Sequence, residues 1–362
     1  MELYPFLFEP NLHSVVWGGD AITKWKELPD AGQPIGESWE VSAVPSSISI
    51  IANGAFKGRD LVSVINEYPR EILGEDVARQ YDGQLPLLAK IIDARRDLSI
   101  QVHPNDEMSQ RLHGHRGKTE MWYVLDAKPG AFLYAGFSKP MSQHDDYSVP
   151  QNREEAMAEY RRRIAEGSII EVLAKHEVKT GDVFYLPAGR VHAIGSGILL
   201  VEIQQSSDVT YRIFDYNRLG MDGKPRELHT ELAAEALDYR VEDTYRTNYE
   251  YMPGKANLVV DTSFFSARII DVCAPFHRNL IKYDSFIISM CLQGDCRIRL
   301  RDNNEEVFLR EGYSTLIPAT KADYDIIPDN SEHKSQILDA YIDNRSRYLG
   351  SKLSRFLHFS KK

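Results

Sequence analysis

The spacing that most constrains this chain is Gly181-x5-Pro187-x-Gly189-x2-His192. Glycines permit a tight turn and the proline stiffens it, so the histidine that follows is aimed rather than left free. His192 opens the run HAIGSGILLVEIQQ, which reads as strand. Upstream, Ser99, Gln101 and His103 alternate along LSIQVHPND, and in a β-strand all three point to one face. Glu120 stands in GKTEMWYVL, another strand pattern. Gln101, His103, Glu120 and His192 are an amide, two imidazoles and a carboxylate. A borderline divalent ion such as zinc accepts such nitrogen and oxygen donors together, and a site that keeps one coordination position open can act on a substrate.

The rest of the chain reads as scaffold. Gly36 to Gly54, GESWEVSAVPSSISIIANG, has the β-branched and aromatic alternation of a strand pair. Residues 59–79 are helical in pattern, with Pro69 dividing two short helices. LPLLAKIIDARRDLSIQVHP supplies two strands around a polar turn, and MWYVLDAKPGAFLYAGF two more around Pro129-Gly130. The connection from His103 to Glu120 is polar, and its His113 and His115 read as solvated loop residues. Residues 152–166 form a charged helix with Asn152 as its expected N-cap. After a helical stretch, ELHTELAAEALDY, short strands return. Gly312 and Pro318 repeat the earlier Gly-x5-Pro spacing, but Thr320 and Asp323 replace the second glycine and the histidine. A second, similar β unit without a comparable metal set is expected there.

Composition removes several classes. A chain of 362 residues with 43% apolar and 27% charged residues can build a large core. A net charge of −10 disfavours non-specific contact with nucleic acid or anionic membrane. MELYPFLFEPNLHSVVWGGD lacks the basic and apolar pattern of a secretory leader, and no run is apolar enough to span a bilayer, which suits a cytoplasmic protein. Cys273, Cys291 and Cys296 lack zinc-type spacing and read as small buried apolar residues.

The Gly-Pro-Gly-His frame resembles the second half of the metal-binding motif of cupin barrels. Taken in order, WGG at Trp17 to Gly19, GESWEVS, LSIQVHPND, GKTEMWYVL, PAGRVHAIGSG and QQSSDVTYRIFDYNR resemble the type I phosphomannose isomerases in their compact bacterial form. The resemblance implies a mainly β fold of two cupin-like antiparallel barrels, or jelly rolls, with helical insertions. Its expected domains are 1–240, catalytic and metal-binding with insertions near 59–79 and 152–166, and 241–362, a degenerate cupin-like unit. It implies one zinc ion per chain on Gln101, His103, Glu120 and His192, and a hexose 6-phosphate as small-molecule partner. Arg212 takes the position of the family's active-site arginine, with Lys118 beside it as a second catalytic candidate. Lys90, Ser99, Glu202, Asp208, Arg218 and Trp17 fall at expected substrate-binding positions.

The implied reaction interconverts mannose 6-phosphate and fructose 6-phosphate, moving a proton between C2 and C1 through an enediol or enediolate. A metal at the sugar oxygens and nearby cations would stabilise the developing negative charge. Lys90, Ser99, Arg212 and Arg218 are the candidates for the phosphate anchor and for the positive field beside it. Two other readings use the same residues. A cupin oxidoreductase would hold iron and consume dioxygen, and a non-catalytic cupin would bind a sugar without turning it over.

Overall fold

The computed structural model describes residues 2–330 and 334–345. Its contacts divide the chain into two compact units. The first comprises Leu12–Trp39 and Leu88–Thr247; the second takes the described residues of Met1–Asn11, Glu40–Leu87 and Asn248–Lys362. The expected break near residue 240 falls at Thr247/Asn248, but the expectation of one continuous domain before it does not match these units. Strand pairing explains the difference. Phe6 pairs with Leu316, and Asp284 caps the helix Glu75–Gln80 by accepting from Glu75 N at 3.1 Å and Asp76 N at 2.8 Å. The helical insertion at 59–79 therefore belongs with the second unit.

The first unit is built from two sheets. One runs in the order Leu12–Gly19, Ile35–Val41, Leu87–Ala94, Ile198–Gln205, Glu120–Ala127, Val183–Leu186. The other runs Tyr211–Phe214, Ile100–Val102, His192–Ile194, Phe132–Phe137, Leu173–Glu177, with antiparallel pairing throughout. Ile92, Trp122, Phe184 and Leu200 of the larger sheet share a core with Leu133, Ala135 and Ile194 of the smaller. On the opposite face of the smaller sheet, Ile100, Val102, Tyr211 and Ile213 pack with Tyr160 and Ala233 of the helices Pro150–Ala165 and Thr230–Ala236. Each large side chain so buried contributes on the order of 1.5–3 kcal/mol. This packing commits Ile100 and Val102 to the helix side, so the residues between and beside them must face the larger sheet.

The second unit repeats the two-layer plan. Its six-stranded sheet contains Ser266–Val272, Ile287–Gln293 and Ser335–Tyr341, and its four-stranded sheet contains Cys296–Leu300 and Asp323–Pro328. Ile287, Ile298, Tyr324 and Ile337 lie in the core between them. The mainly β, antiparallel expectation is met. Among the described residues the sheets stay separate in their hydrogen bonding, so each unit is layered rather than a closed barrel.

Several local expectations change. Only Ile35–Val41 of the expected strand pair at 36–54 forms a strand; Ile50 and Ile51 make isolated bridges to Asp60 and Phe8. Residues 59–79 form three helices, because Gly74 at φ 96° interrupts after the helix begun by Pro69. The connection after His103 contains the helix Asp106–His113, capped by Asn105. The long charged helix starts at Pro150 rather than after Asn152, since proline suits the first helical position. Cys291 and Cys296 are buried, whereas Cys273 is exposed. No helix among the described residues is long and apolar enough to cross a membrane.

Candidate metal centre and pocket

Strand register brings the ligand candidates together. His192 and Arg212 each pair with Gln101 across the smaller sheet, while Glu120 opens the strand Glu120–Ala127 of the larger one. The turn before His192 depends on Gly189, whose φ is 91° and whose amide donates to the His103 carbonyl at 2.9 Å. A Cβ at Gly189 would stand 2.9 Å from the Ala236 carbonyl oxygen. The turn thus ties the two histidine segments to each other.

His103, Glu120 and His192 are buried, and their donor atoms lie within 4.8 Å of one another. His103 Nε2 is 3.5 Å from Glu120 Oε2, and His192 Nε2 is 3.3 Å from Glu120 Oε1. The outer nitrogens set the tautomers. Nδ1 of His103 faces the Val209 carbonyl at 2.8 Å and Nδ1 of His192 faces the Arg190 carbonyl at 2.9 Å. A carbonyl only accepts, so both Nδ1 atoms carry the proton and both Nε2 atoms turn a lone pair to the cluster. Burial, reinforced for His103 by the nearby Lys118 charge, holds that imidazole well below its usual range. Burial likewise brings His192 down to about 4. Both are neutral near pH 7, as ligation requires.

Glu120 shows what the cluster lacks. Burial and the neighbouring Glu202 charge push its carboxyl up to about 8, against the pull of Lys118. Lys118 Nζ stands 3.1 Å from Oε2 as an ion pair, but among the described residues neither Glu120 oxygen has a hydrogen-bond partner, and neither does His103 Nε2. Buried polar atoms left this way are costly, by roughly 1–3 kcal/mol each. The unpartnered Nε2 of His103, the Nε2 lone pair of His192 and a carboxylate converging on one point fit a divalent cation. Gln101 borders the group, its Nε2 3.3 Å from His192 Nε2, and a half-turn of the carboxamide would offer Oε1 instead.

A cavity of about 240 Å³ opens beside this group, with Gln101, His192, Lys118, Glu202, Lys90 and Arg212 in its wall. Lys90 Nζ lies 3.6 Å from Glu37 and 3.8 Å from Glu202, with Trp39 under it at 4.5 Å from the ring centroid. Glu202 Oε2 accepts from Trp122 Nε1 at 2.9 Å, and Oε1 is 3.7 Å from Lys118. Burial opposes the Lys118 charge, but Glu120 and Glu202 more than compensate and keep its pKa raised. Burial also pushes Glu202 up, yet Lys118 and Lys90 bring it below its usual value. Two lysines are therefore balanced by three carboxylates. A larger hollow of about 600 Å³ includes Arg111, Arg153 and Asp238 but none of the metal-ligand candidates.

The arginines divide differently from expectation. Arg212 lines the cavity, with Nε donating to Ser99 Oγ at 3.2 Å and Nη1 to the Glu227 carbonyl at 3.0 Å. Arg218 does not line it; Nε donates to Asp215 at 2.8 Å and Nη1 to the Asp97 carbonyl. Arg226, which the sequence did not signal, lines the cavity instead. Trp17 and the exposed Asp208 also line it. Glu37 and Trp39 were missed as well, though their alternation along GESWEVS is the period-2 signal of one strand face. Arg226 sits in an irregular loop, where no periodicity could reveal it. His113 is exposed at a helix end, its Nε2 2.8 Å from Tyr211 OH, and His115 is exposed.

The layered fold and the convergence of His103, Glu120 and His192 define a mainly β protein with a candidate metal centre between two sheets. The family description phosphomannose isomerase type I, catalytic domain, matches residues 6–130. The mannose-6-phosphate isomerase of Streptococcus mutans is 31% identical over 317 residues, covering 87% of this chain and 93% of that protein. Mannose-6-phosphate isomerase ManA of Bacillus subtilis is 38% identical over 241 residues, 66% of this chain and 69% of its own. A crystal structure of the mannose 6-phosphate isomerase from Bacillus subtilis superposes with a TM-score of 0.80 at 29% identity, covering 94% of this chain and 100% of that one. The chain belongs to the type I phosphomannose isomerase family.

Proposed function

We propose that this protein is a zinc-dependent aldose-ketose isomerase that interconverts mannose 6-phosphate and fructose 6-phosphate in the cytoplasm. The observation that carries the reading is the convergence of three metal-ligand donors beside a cavity whose wall includes His192, Lys118 and Arg212. His103, Glu120 and His192 would hold the ion, with Gln101 as a fourth ligand through its oxygen. When bound, zinc supplies Lewis-acid polarisation of sugar oxygens.

The remaining work falls to the chain's own groups. Moving a proton between C2 and C1 through an enediol or enediolate develops negative charge on the sugar oxygens. Lys118 is a buried cation held beside Glu120 and Glu202, so its charge needs little reorganisation to act on that oxyanion. Arg212 has two nitrogens committed to Ser99 and the Glu227 carbonyl, which leaves Nη2 for substrate. Lys90 faces Glu37 and Glu202, so its charge is already answered. We therefore place the phosphate anchor at Arg212 and Arg226, where guanidinium groups outnumber their carboxylate partners. Glu202, Asp208 and Trp17 complete the substrate wall.

The test is a coupled assay for fructose 6-phosphate formed from mannose 6-phosphate, run with the zinc-loaded protein and with a dioxygen electrode. Turnover without oxygen uptake is expected, with a much lower kcat/KM for unphosphorylated mannose because remote binding is lost. Binding without turnover, or oxygen consumption, contradicts the reading.

A further inference from the structure

The segment that follows Arg212 is built around one buried carboxylate. Asp215 is 5% exposed and accepts from Arg226 Nε at 2.7 Å, from Arg226 Nη2, and from Arg218 Nε at 2.8 Å. Arg218 is held in turn by the Asp97 carbonyl. Both nitrogens of one edge of Arg226 are thereby engaged, while its Nη1 has no partner among the described residues and its side chain lines the cavity. Between the two arginines the chain reverses, with Gly220 N donating to the Lys224 carbonyl at 2.7 Å.

Two further features show that this arrangement is imposed. Tyr216 and Asn217 both have positive φ, 55° and 54°, a conformation asparagine tolerates but a bulky residue such as Tyr216 seldom adopts. They redirect the chain at once after Asp215, so that Arg218 Nε returns to its carboxylate. In addition, Arg218 and Arg226 share this single buried carboxylate, and Arg212 lines the same cavity as Arg226. Burial, followed by the charge of Arg226, lowers the pKa of Arg212. Such a cationic excess at a cavity wall disfavours the empty pocket and favours an entering dianion.

We propose that Asp215 is a positioning residue that fixes Arg226 for the phosphate of the substrate and so sets selectivity for the phosphorylated sugar. The inference rests on the isomerase reading, but concerns a residue that need not touch substrate. A guanidinium clamped along one edge offers its remaining nitrogen in a single orientation, and binding then costs less side-chain ordering. Without the clamp Arg226 keeps its charge and loses its aim.

The experiment compares zinc-loaded wild type, Asp215→Asn, Arg226→Ala and the double variant. It reads KM and kcat for mannose 6-phosphate and inhibition by inorganic phosphate. Asp215→Asn is expected to raise KM about tenfold or more and weaken phosphate inhibition in parallel, with kcat within a few-fold of wild type. In the Arg226→Ala background the same change should add little, because its effect passes through Arg226. Unchanged KM and phosphate inhibition, or an equal penalty with Arg226 absent, overturns the proposal. If Asp215→Asn does not fold, Asp215→Glu retains the charge with a displaced carboxylate; raised KM is expected and a wild-type KM overturns the idea. Calorimetry of inorganic phosphate with wild type and Asp215→Asn reads the clamp without turnover. A wild type that binds phosphate but does not isomerise the sugar would therefore sink the functional reading alone.

Discussion

Glu120 carries the strongest argument at the scale of single residues. Its oxygens have no hydrogen bonds among the described residues, and Lys118 answers only part of its charge. In the absence of an ion the carboxylate opposes stability, as expected of a group kept for binding. Glu120→Gln is nearly isosteric and removes the charge. It should abolish tight metal binding while leaving the metal-free protein at least as stable as the metal-free parent, with a gain of up to about 1–3 kcal/mol. Thermal unfolding in chelator together with metal titration checks both. A metal-free variant clearly less stable than its parent would mean that Lys118 had already satisfied the carboxylate.

Strand pattern and turn chemistry decide where the donors go at the scale of elements. The turn from Gly181 to His192 delivers one imidazole, and through Gly189 it also holds the segment of the other. Gly189→Ala should cost about 1–3 kcal/mol, because the residue sits at positive φ with the Ala236 carbonyl close by. It should also weaken metal affinity, since His192 follows three residues later. Urea unfolding and zinc titration check the pair of effects; loss of stability with parental affinity would show that the turn does not aim the histidine. Such features were legible because they are local. The alternation of Ser99, Gln101 and His103 and the Gly-Pro-Gly-His spacing are fixed by backbone geometry. Arg226 and the role of Asp215 were not legible, because a loop has no period and their meeting depends on two left-handed residues between them. The division into units was misread for a similar reason: the pairing of Phe6 with Leu316 joins segments far apart in sequence.

At the scale of the whole molecule, each two-sheet unit encloses a charged cluster, and the two clusters differ in completeness. In the second unit Asp339 accepts from Arg278 Nε at 2.9 Å, Ser289 Oγ at 2.5 Å and Tyr324 OH at 3.2 Å. That carboxylate is satisfied by protein alone. In the first unit Glu120 faces two imidazole nitrogens that offer lone pairs rather than protons. One fold thus shows what a finished buried carboxylate looks like, and the unfinished one asks for a cation. The central claim is that this cation sits on His103, Glu120 and His192 and is needed for isomerisation. It is tested most directly by stripping the protein with chelator and titrating zinc back while measuring bound metal and mannose 6-phosphate isomerisation together. Activity is predicted to return in proportion to bound zinc and to level off at about one ion per chain, the capacity of a single three-to-four-ligand site, with neither binding nor activity in His192→Ala. Full activity in metal-free protein, or parental zinc binding in His192→Ala, would contradict it.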